Sequence, residues 1–172
     1  MKRMTGWLKR VLGPLALVFL TALVGCGAIP RELSFETIER QAAGGRGELW
    51  EAEEPGLMVI ATAEELNQID NLVTQEAQEK LRQVDYDAYF VVAAFLGKRT
   101  SNPGFQVERV VRRGSQITLY ALDQGDGFLA AITSPYQLIE VRKEGKWGRQ
   151  FTFKLRFTEG EQRIVSVSHH IP

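Results

Sequence analysis

Cysteine and histidine are scarce in this chain, which has one cysteine, Cys26, and two histidines, His169 and His170, among 172 residues. A single cysteine cannot form an intramolecular disulfide, so the fold must depend on its hydrophobic core. The same scarcity excludes zinc sites built on several thiolates, and any Ser-His-Asp triad would need one of the two C-terminal histidines. Neighbouring residues of a strand point to opposite faces, so these histidines are not expected to share a metal ion. A solvated chain end is predicted there.

Acidic residues are absent before Glu32, whereas the first ten residues carry four positive charges. The uncharged, mostly apolar run that follows, 11–25, has 15 residues. A helix needs about 20 apolar residues to cross a bilayer, so this run is short for a membrane span. A basic start before a short apolar run is typical of a secretory signal peptide, although an uncleaved anchor has a similar layout.

The end of that run resembles the lipobox of bacterial lipoproteins, because Leu23-Val24-Gly25-Cys26 places small residues before a cysteine. The resemblance implies that a diacylglyceryl group is added to the Cys26 sulfur and that cleavage follows Gly25. Two acyl chains anchor a protein stably, whereas a single myristoyl chain binds only marginally. We therefore expect a lipoprotein held by its lipid at the extracytoplasmic face of a membrane in a bacterial cell envelope.

This interpretation divides the chain into a signal peptide at 1–25, a lipidated tether at 26–32 and one β-rich domain at 33–172. The leader holds four of the 21 basic residues and none of the 21 acidic ones, which leaves the mature chain with 17 against 21 and a formal charge of −4. Nucleic-acid binding selects strongly basic surfaces, so this balance argues against it.

Alternating apolar residues favour strands through most of the domain. Phe151, Phe153, Leu155 and Phe157 alternate with polar residues, as in a half-buried strand, and 116–121 has the same pattern. Residues 89–96 are apolar without a break, which is typical of a central strand covered on both faces. The alternation slips between Val107 and Val110 and predicts a bulge.

Helical patterns are confined to two short segments, at about 63–69 and 75–83. Thr62 with Glu65 has the spacing of a capping box at the start of the first. We predict a mainly β (α+β) fold, either an antiparallel β-sandwich or a strongly curved sheet, with seven to eight strands and two short helices.

Catalytic and metal-binding motifs are not found. Residues 123–127 contain two aspartates but lack the later carboxylate of a calcium loop, so a turn is predicted there. The chain has no Gly-x-Ser-x-Gly motif, and the adjacent Glu64 and Glu65 diverge on a helix. We expect a protein that is not an enzyme and that uses no cofactor and no metal.

Three motifs of the domain resemble the protease-complex PrcB-like family, in its C-terminal domain. They are FVVAAFLG at 90–97, Gly104-Phe105 followed by Val107, and Thr133-Ser134-Pro135-Tyr136. The match spans roughly 55 residues, and the motifs follow the family's order. The resemblance implies an accessory lipoprotein that binds and stabilises an exported protease, or more broadly a non-catalytic accessory module.

The segment between the first two motifs departs from the family, since it reads Thr100-Ser101-Asn102-Pro103-Gly104-Phe105 with one glycine replaced and phenylalanine in place of tyrosine. Binding commonly resides in loops on a rigid scaffold, so a functional loop is predicted here. Its alternative is a turn made by Pro103 and Gly104 over core aromatics. The candidate binding residues are Lys98, Arg99, Asn102, Pro103, Gly104, Phe105 and Tyr136.

Three functional hypotheses remain open. The first is a membrane-anchored module that binds an exported protein, with a protease among the candidate partners. The second is a protease inhibitor that acts through the 100–105 loop, which is similar to a loop of the chagasin-type inhibitors. The third is an envelope structural or assembly lipoprotein that acts by tethering alone.

Overall fold

The computed structural model describes residues 29–41, 50, 52–158 and 164–172, and for 101–104 and 124–131 it describes the backbone only. The signal peptide, Cys26 and residues 42–49 lie outside the described residues. Nine strands lie within the described part. They are β1 Arg31–Glu32, β2 Phe35–Gln41, β3 Gly56–Ile60, β4 Tyr89–Phe95, β5 Arg99–Arg113, β6 Gln116–Thr133, β7 Tyr136–Arg142, β8 Arg149–Phe157 and β9 Ile164–Ile171.

The strands form two sheets, and the predicted β-rich sandwich with two short helices is confirmed. The five-stranded sheet has the order β1-β5-β6-β8-β9, and the four-stranded sheet has the order β2-β7-β4-β3. Every strand pair is antiparallel except β6 with β8, which runs parallel from Gln116 opposite Thr152 to Ala121 opposite Phe157. The chain passes four times between the sheets, from β1 into β2, from β4 into β5, from β6 into β7 and from β7 into β8.

The main core lies between the two sheets. The alternation predicted for 151–157 is confirmed, because the four apolar side chains are buried and the residues between them are half-buried or exposed. Ile117, Leu119 and Ala121 of β6 are buried in the same core, as predicted. Phe153 of β8 meets Phe90 of β4 edge-on across the two sheets, with 5.7 Å between the ring centroids.

A second core covers the outer side of the four-stranded sheet. Strand β4 is buried on both faces, as its unbroken apolar run predicted, since Phe90 and Val92 face the main core while Val91 and Phe95 face the second. A 3-10 helix, Ala63–Gln68, and α1, Gln75–Leu81, pack on this side. The molecule therefore has three layers, with helices on one side only.

The two helices begin differently. Thr74 caps α1, where its hydroxyl oxygen accepts a hydrogen bond from the Ala77 amide at 3.1 Å. The capping box predicted at Thr62 does not form, because the Thr62 side chain makes no cap hydrogen bond. Glu65 instead accepts from the Ala61 amide at 2.7 Å, one residue before the predicted cap.

A bulge in β5 lies where the sequence predicted it, between Val107 and Arg109. The Val107 amide bonds to the other sheet, since it donates to Oε1 of the buried Gln137 in β7 at 2.7 Å. The Gln137 amide nitrogen donates to the Thr37 hydroxyl of β2 at 2.9 Å. One polar side chain thus joins three strands of two sheets.

Three further local predictions were wrong. Residues 99–105, predicted as a loop, belong to β5, and 123–127, predicted as a turn, belong to β6, because the two segments pair with each other over several bulges. The C-terminal residues were expected to be a solvated end, but His169 and His170 lie in β9, paired with β8.

The sandwich has two ends, which are named here by the course of the chain. The entry end contains β1 and the Tyr89–Arg142 pair of β4 and β7. At this end Arg112, which pairs with Arg31 of β1, donates to the Lys146 carbonyl at 2.6 Å. The far end contains the Phe95–Tyr136 pair, seven residues along β4. No helix in the described part of the chain has the length and hydrophobicity needed to span a bilayer.

Candidate functional site

The first and third family-like motifs meet at the far end of the sandwich. Phe95 lies opposite Tyr136, and the Leu96 amide donates to the Pro135 carbonyl at 2.9 Å. The glycine that ends the first motif, Gly97, has a φ of +83°, and a Cβ built on it would lie 2.3 Å from the Glu53 carbonyl oxygen. Only glycine tolerates both conditions, so this motif residue makes a close backbone approach.

That close approach holds residues 52–54 against the motifs, and Trp50 packs there as well. The Trp50 ring stacks on Phe95 with 4.6 Å between centroids, and the Ser134 hydroxyl donates to the Trp50 carbonyl at 3.0 Å. The Lys98 amide donates to the Ala52 carbonyl at 3.0 Å. Residues of the first and third motifs therefore pack beneath Trp50, which is partly exposed.

Tyr136 was predicted as a binding residue, but its side chain is only 1% exposed. Its hydroxyl donates to Glu39 Oε1 at 2.7 Å and accepts from the Thr74 amide at 3.2 Å. Burial raises the pKa of Tyr136 to about 12, so the phenol stays protonated and can donate. The Thr74 hydroxyl donates to the same Glu39 oxygen at 2.9 Å, and Lys80 approaches the other at 3.3 Å. Tyr136 thus positions the start of α1 and presents nothing to a partner.

Phe105 was also predicted as a binding residue and is also buried. It lies in the main core, 3% exposed, and its ring centroid is 6.2 Å from that of Phe157. Of the intervening candidates Asn102, Pro103 and Gly104, only the backbone is described, and it pairs with β6. The segment is therefore not a protruding loop, which removes the observation that favoured a loop-based protease inhibitor.

Lys98 and Arg99 keep part of their side chains at the surface. The Arg99 guanidinium donates to the Glu53 carbonyl at 3.0 Å and to the Lys98 carbonyl at 2.8 Å. These hydrogen bonds hold the Arg99 side chain beside residues 52–54. Arg99 pairs with Thr133, and the next residue toward the β6 hairpin, Ile132, has a 61% exposed side chain. We call Trp50, Lys98, Arg99 and Ile132 the far-end surface.

The histidines do not form a metal or catalytic site. His169 faces inward, where its Nε2 lies 3.1 Å from Glu65 Oε2, while His170 is exposed on the opposite side of the strand. The described residues contain no group of three or more His, Cys, Asp or Glu side chains arranged to hold a metal ion. Glu65 also accepts from Ala61, so the contact with His169 joins β9 to the 3-10 helix.

A cleft of about 470 Å³ opens at the entry end, between the start of the 3-10 helix and Lys143. The Lys143 ammonium donates to the Tyr86 carbonyl at 2.7 Å, and burial lowers the pKa of Lys143. The Tyr86 hydroxyl donates to the Leu81 carbonyl at 3.2 Å, and burial raises its pKa to about 12. The cleft is also lined by the carboxylates of Glu64 and Asp87, while the Lys143 ammonium and the Tyr86 hydroxyl both donate to backbone carbonyls.

The sequence did not predict the packing of Trp50 on Phe95, nor the hydrogen bonds made by Gln137 and Thr74. No role was predicted from the sequence for Trp50, Gln137 or Thr74. In the sequence, Gln137 stands out only as a polar residue within a mostly apolar strand. Its hydrogen-bond partners come from strands that are distant along the chain, so the sequence does not identify them. No family model matches the chain, and no curated protein or solved structure is significantly similar to it.

Proposed function

We propose that this chain is a lipid-anchored extracytoplasmic protein of the bacterial envelope that binds an exported protein through the far-end surface and has no catalytic role. The observation that carries the proposal is geometric. The first described residues, Ile29 to Arg31, enter at one end of the sandwich, while Lys98 and Arg99 lie at the other. Strand β4 separates the two ends by about 20 Å at 3.3 Å per residue.

The anchor is supported by the leader and by the position of Cys26. Only Gly27 and Ala28 stand between Cys26 and Ile29, whose side chain is 88% exposed at the entry end. A lipid on Cys26 would therefore hold the entry end close to the bilayer. It would leave the far-end surface pointing away from the anchor.

A binding role is supported by the composition of the far-end surface. Tryptophan and arginine are enriched at protein interfaces, and both occur here beside an exposed isoleucine. The hydrogen bonds to Glu53 and from Ser134 hold this surface in place before any partner arrives, which reduces the entropic cost of binding. An exported protease is the partner class that the resemblance to the PrcB-like family implies.

Photocrosslinking in the native membrane tests the partner. We would introduce p-benzoylphenylalanine at Ile132 of the full-length chain in living bacteria, with Gln83, exposed just after α1, as the matched control position. The expected result is one dominant exported protein crosslinked from position 132 and absent from position 83. Its crosslink should weaken at least tenfold when Lys98→Glu is added.

Two other results would contradict the proposal. Equal crosslinks from positions 132 and 83, unaffected by Lys98→Glu, would favour a protein that acts by tethering alone. Mass spectrometry of the mature protein tests the anchor separately. The expected N-terminus is a diacylglyceryl-modified Cys26, and an unmodified N-terminus or a retained leader would refute it.

A further inference from the structure

The outer side of the five-stranded sheet faces solvent in the described part of the chain. The second core and both helices lie on the other sheet. Of the outward residues of this one, Arg156 and Ser166 are exposed, Lys154 and Tyr120 are half-buried, and Thr118 is buried. Strand register defines this surface. Lys154 and Arg156 alternate with the buried 151–157 side chains, and each lies beside an outward residue of β6 and of β9. We call this surface the open face.

The charges on the open face are mostly positive. Its charged residues within the described part are four cations, Arg109, Arg113, Lys154 and Arg156, and two carboxylates, Glu32 and Glu108, the second exposed at the bulge beside Arg109. Arg109 lies over the ring of Tyr120 at 4.4 Å, and Tyr120 lies opposite Arg156 on the neighbouring strand. Within the described residues the face therefore carries a net charge of +2, while the mature chain as a whole carries −4.

The tether enters beside the open face. Arg31 and Glu32 form the strand that borders β5, opposite Arg112 and Val111. An extended chain spans at most about 3.5 Å per residue, so the backbone of Arg31 lies within roughly 18 Å of a lipid carried by Cys26. A lipid on Cys26 would therefore keep the bilayer close to this basic face, although the mature chain as a whole is acidic.

We propose that the open face rests on the anionic headgroups of the membrane that holds the lipid. The proposal depends on the lipid anchor of the proposed function and adds an orientation to it. The acyl chains on Cys26 hold the protein at the membrane in this proposal. The four cations therefore determine how the domain is oriented and are not needed to keep it bound. Anionic lipids attract basic side chains within a Debye length, which is about 10 Å at 0.1 M salt.

Trp50 lies on the opposite side of the molecule from the open face, because it packs on the outer side of the four-stranded sheet, against Phe95. With the open face on the membrane, the helices and Trp50 point into the surrounding solution. Trp50 then stays accessible to an exported partner, while Arg99 and Ile132 lie at the far end of β5 and β6 in the docked sheet.

The test uses the full chain, purified from bacterial membranes and reconstituted into vesicles. Ser166→Cys on the open face and Gln83→Cys on the helix side each take a fluorophore sensitive to its environment. Cys26 is the only native cysteine, so a lipidated protein exposes the introduced thiol alone. Vesicles of phosphatidylcholine are compared with vesicles that contain 30% phosphatidylglycerol.

Flotation with phosphatidylcholine vesicles reports the anchor, and the fluorophore reports the posture. We expect flotation in both lipids, and an apolar shift of the fluorophore at 166 only with phosphatidylglycerol, lost at 1 M salt. The ratio of docked to undocked protein should fall about fivefold per removed cation, thus about 25-fold in Lys154→Gln/Arg156→Gln. The control Arg82→Gln/Arg142→Gln, with the same charge change on the other sheet's side, should alter it less than twofold.

The two proposals fail in different ways. A protein that floats while positions 166 and 83 respond alike, or that responds equally without anionic lipid, keeps its anchor and overturns the docking. Failure to float with phosphatidylcholine overturns the anchor, and the docking with it.

Discussion

Replacing Gln137 with leucine tests the hydrogen bond by which its side chain joins the two sheets. Gln137 is 2% exposed, and its carbonyl oxygen is the acceptor for the Val107 amide at the bulge of β5. Leucine has a similar volume, so packing changes little, but the Val107 amide loses its partner in a dry position. The other partner, Thr37, has an exposed side chain, and water can replace the glutamine there.

The expected loss follows from this difference between the two partners. A buried donor left without an acceptor costs about 1–3 kcal/mol, whereas a hydroxyl that reaches water loses well under 1 kcal/mol. We therefore expect Gln137→Leu to lower the free energy of unfolding by about 2 kcal/mol. With a urea m-value of about 2 kcal/mol/M, the unfolding midpoint should fall by about 1 M.

Urea unfolding of the chain from residue 26, with Cys26→Ala to keep it free of lipid, provides the assay. Thr37→Val, which removes only the exposed partner, is the matched control and should shift the midpoint by less than about 0.3 M. Hydrogen exchange of the Val107 amide should accelerate in Gln137→Leu alone. A loss below about 0.5 kcal/mol, with Val107 still protected, would refute the cross-sheet role.

Gly97→Ala should destabilise the protein by more than about 2 kcal/mol, because it combines a positive φ with a steric clash on the Glu53 carbonyl. Gly148→Ala, at φ +73° in open space, should cost about 1 kcal/mol, and equal urea midpoints would contradict the close approach. The pKa of Tyr86 and that of Tyr136 are raised to about 12 from 10, so the folded state holds these protons longer than the unfolded one. Stability should fall from pH 10 to 12, and the Tyr86→Phe/Tyr136→Phe variant should flatten that fall.

Periodicity predicted the layers but not the neighbours of the strands. The alternation at 151–157 told which side chains are buried, because burial of one face follows from a two-residue repeat. It could not tell that β8 pairs parallel with β6, since the repeat is the same for either direction. The pairing of 99–105 with β6 also overrode local turn chemistry, as Pro103 and Gly104 are tolerated where the ladder carries bulges.

Among the predicted site residues, Lys98 and Arg99 are partly exposed, but the sequence could not tell that the two aromatics are buried. Phe105 and Tyr136 resemble contact aromatics in composition, yet both are buried, one in each core. Trp50 becomes visible only when the fold brings it onto Phe95, 45 residues further along the chain. Such a surface depends on long-range packing, which no local pattern of residues encodes.

The two proposals constrain each other through the layered fold. Because the helices cover one sheet and leave the other open, the molecule has one basic flat side and one side that carries Trp50. If the lipid alone set the posture, the body could turn about the tether, and the far-end surface would meet the bilayer part of the time. Electrostatic contact at Lys154 and Arg156 would limit that turning. Neutralising these two cations should therefore weaken the crosslink from Ile132 to the exported partner, although neither residue touches the far-end surface, and an unchanged crosslink would mean that the partner itself orients the protein.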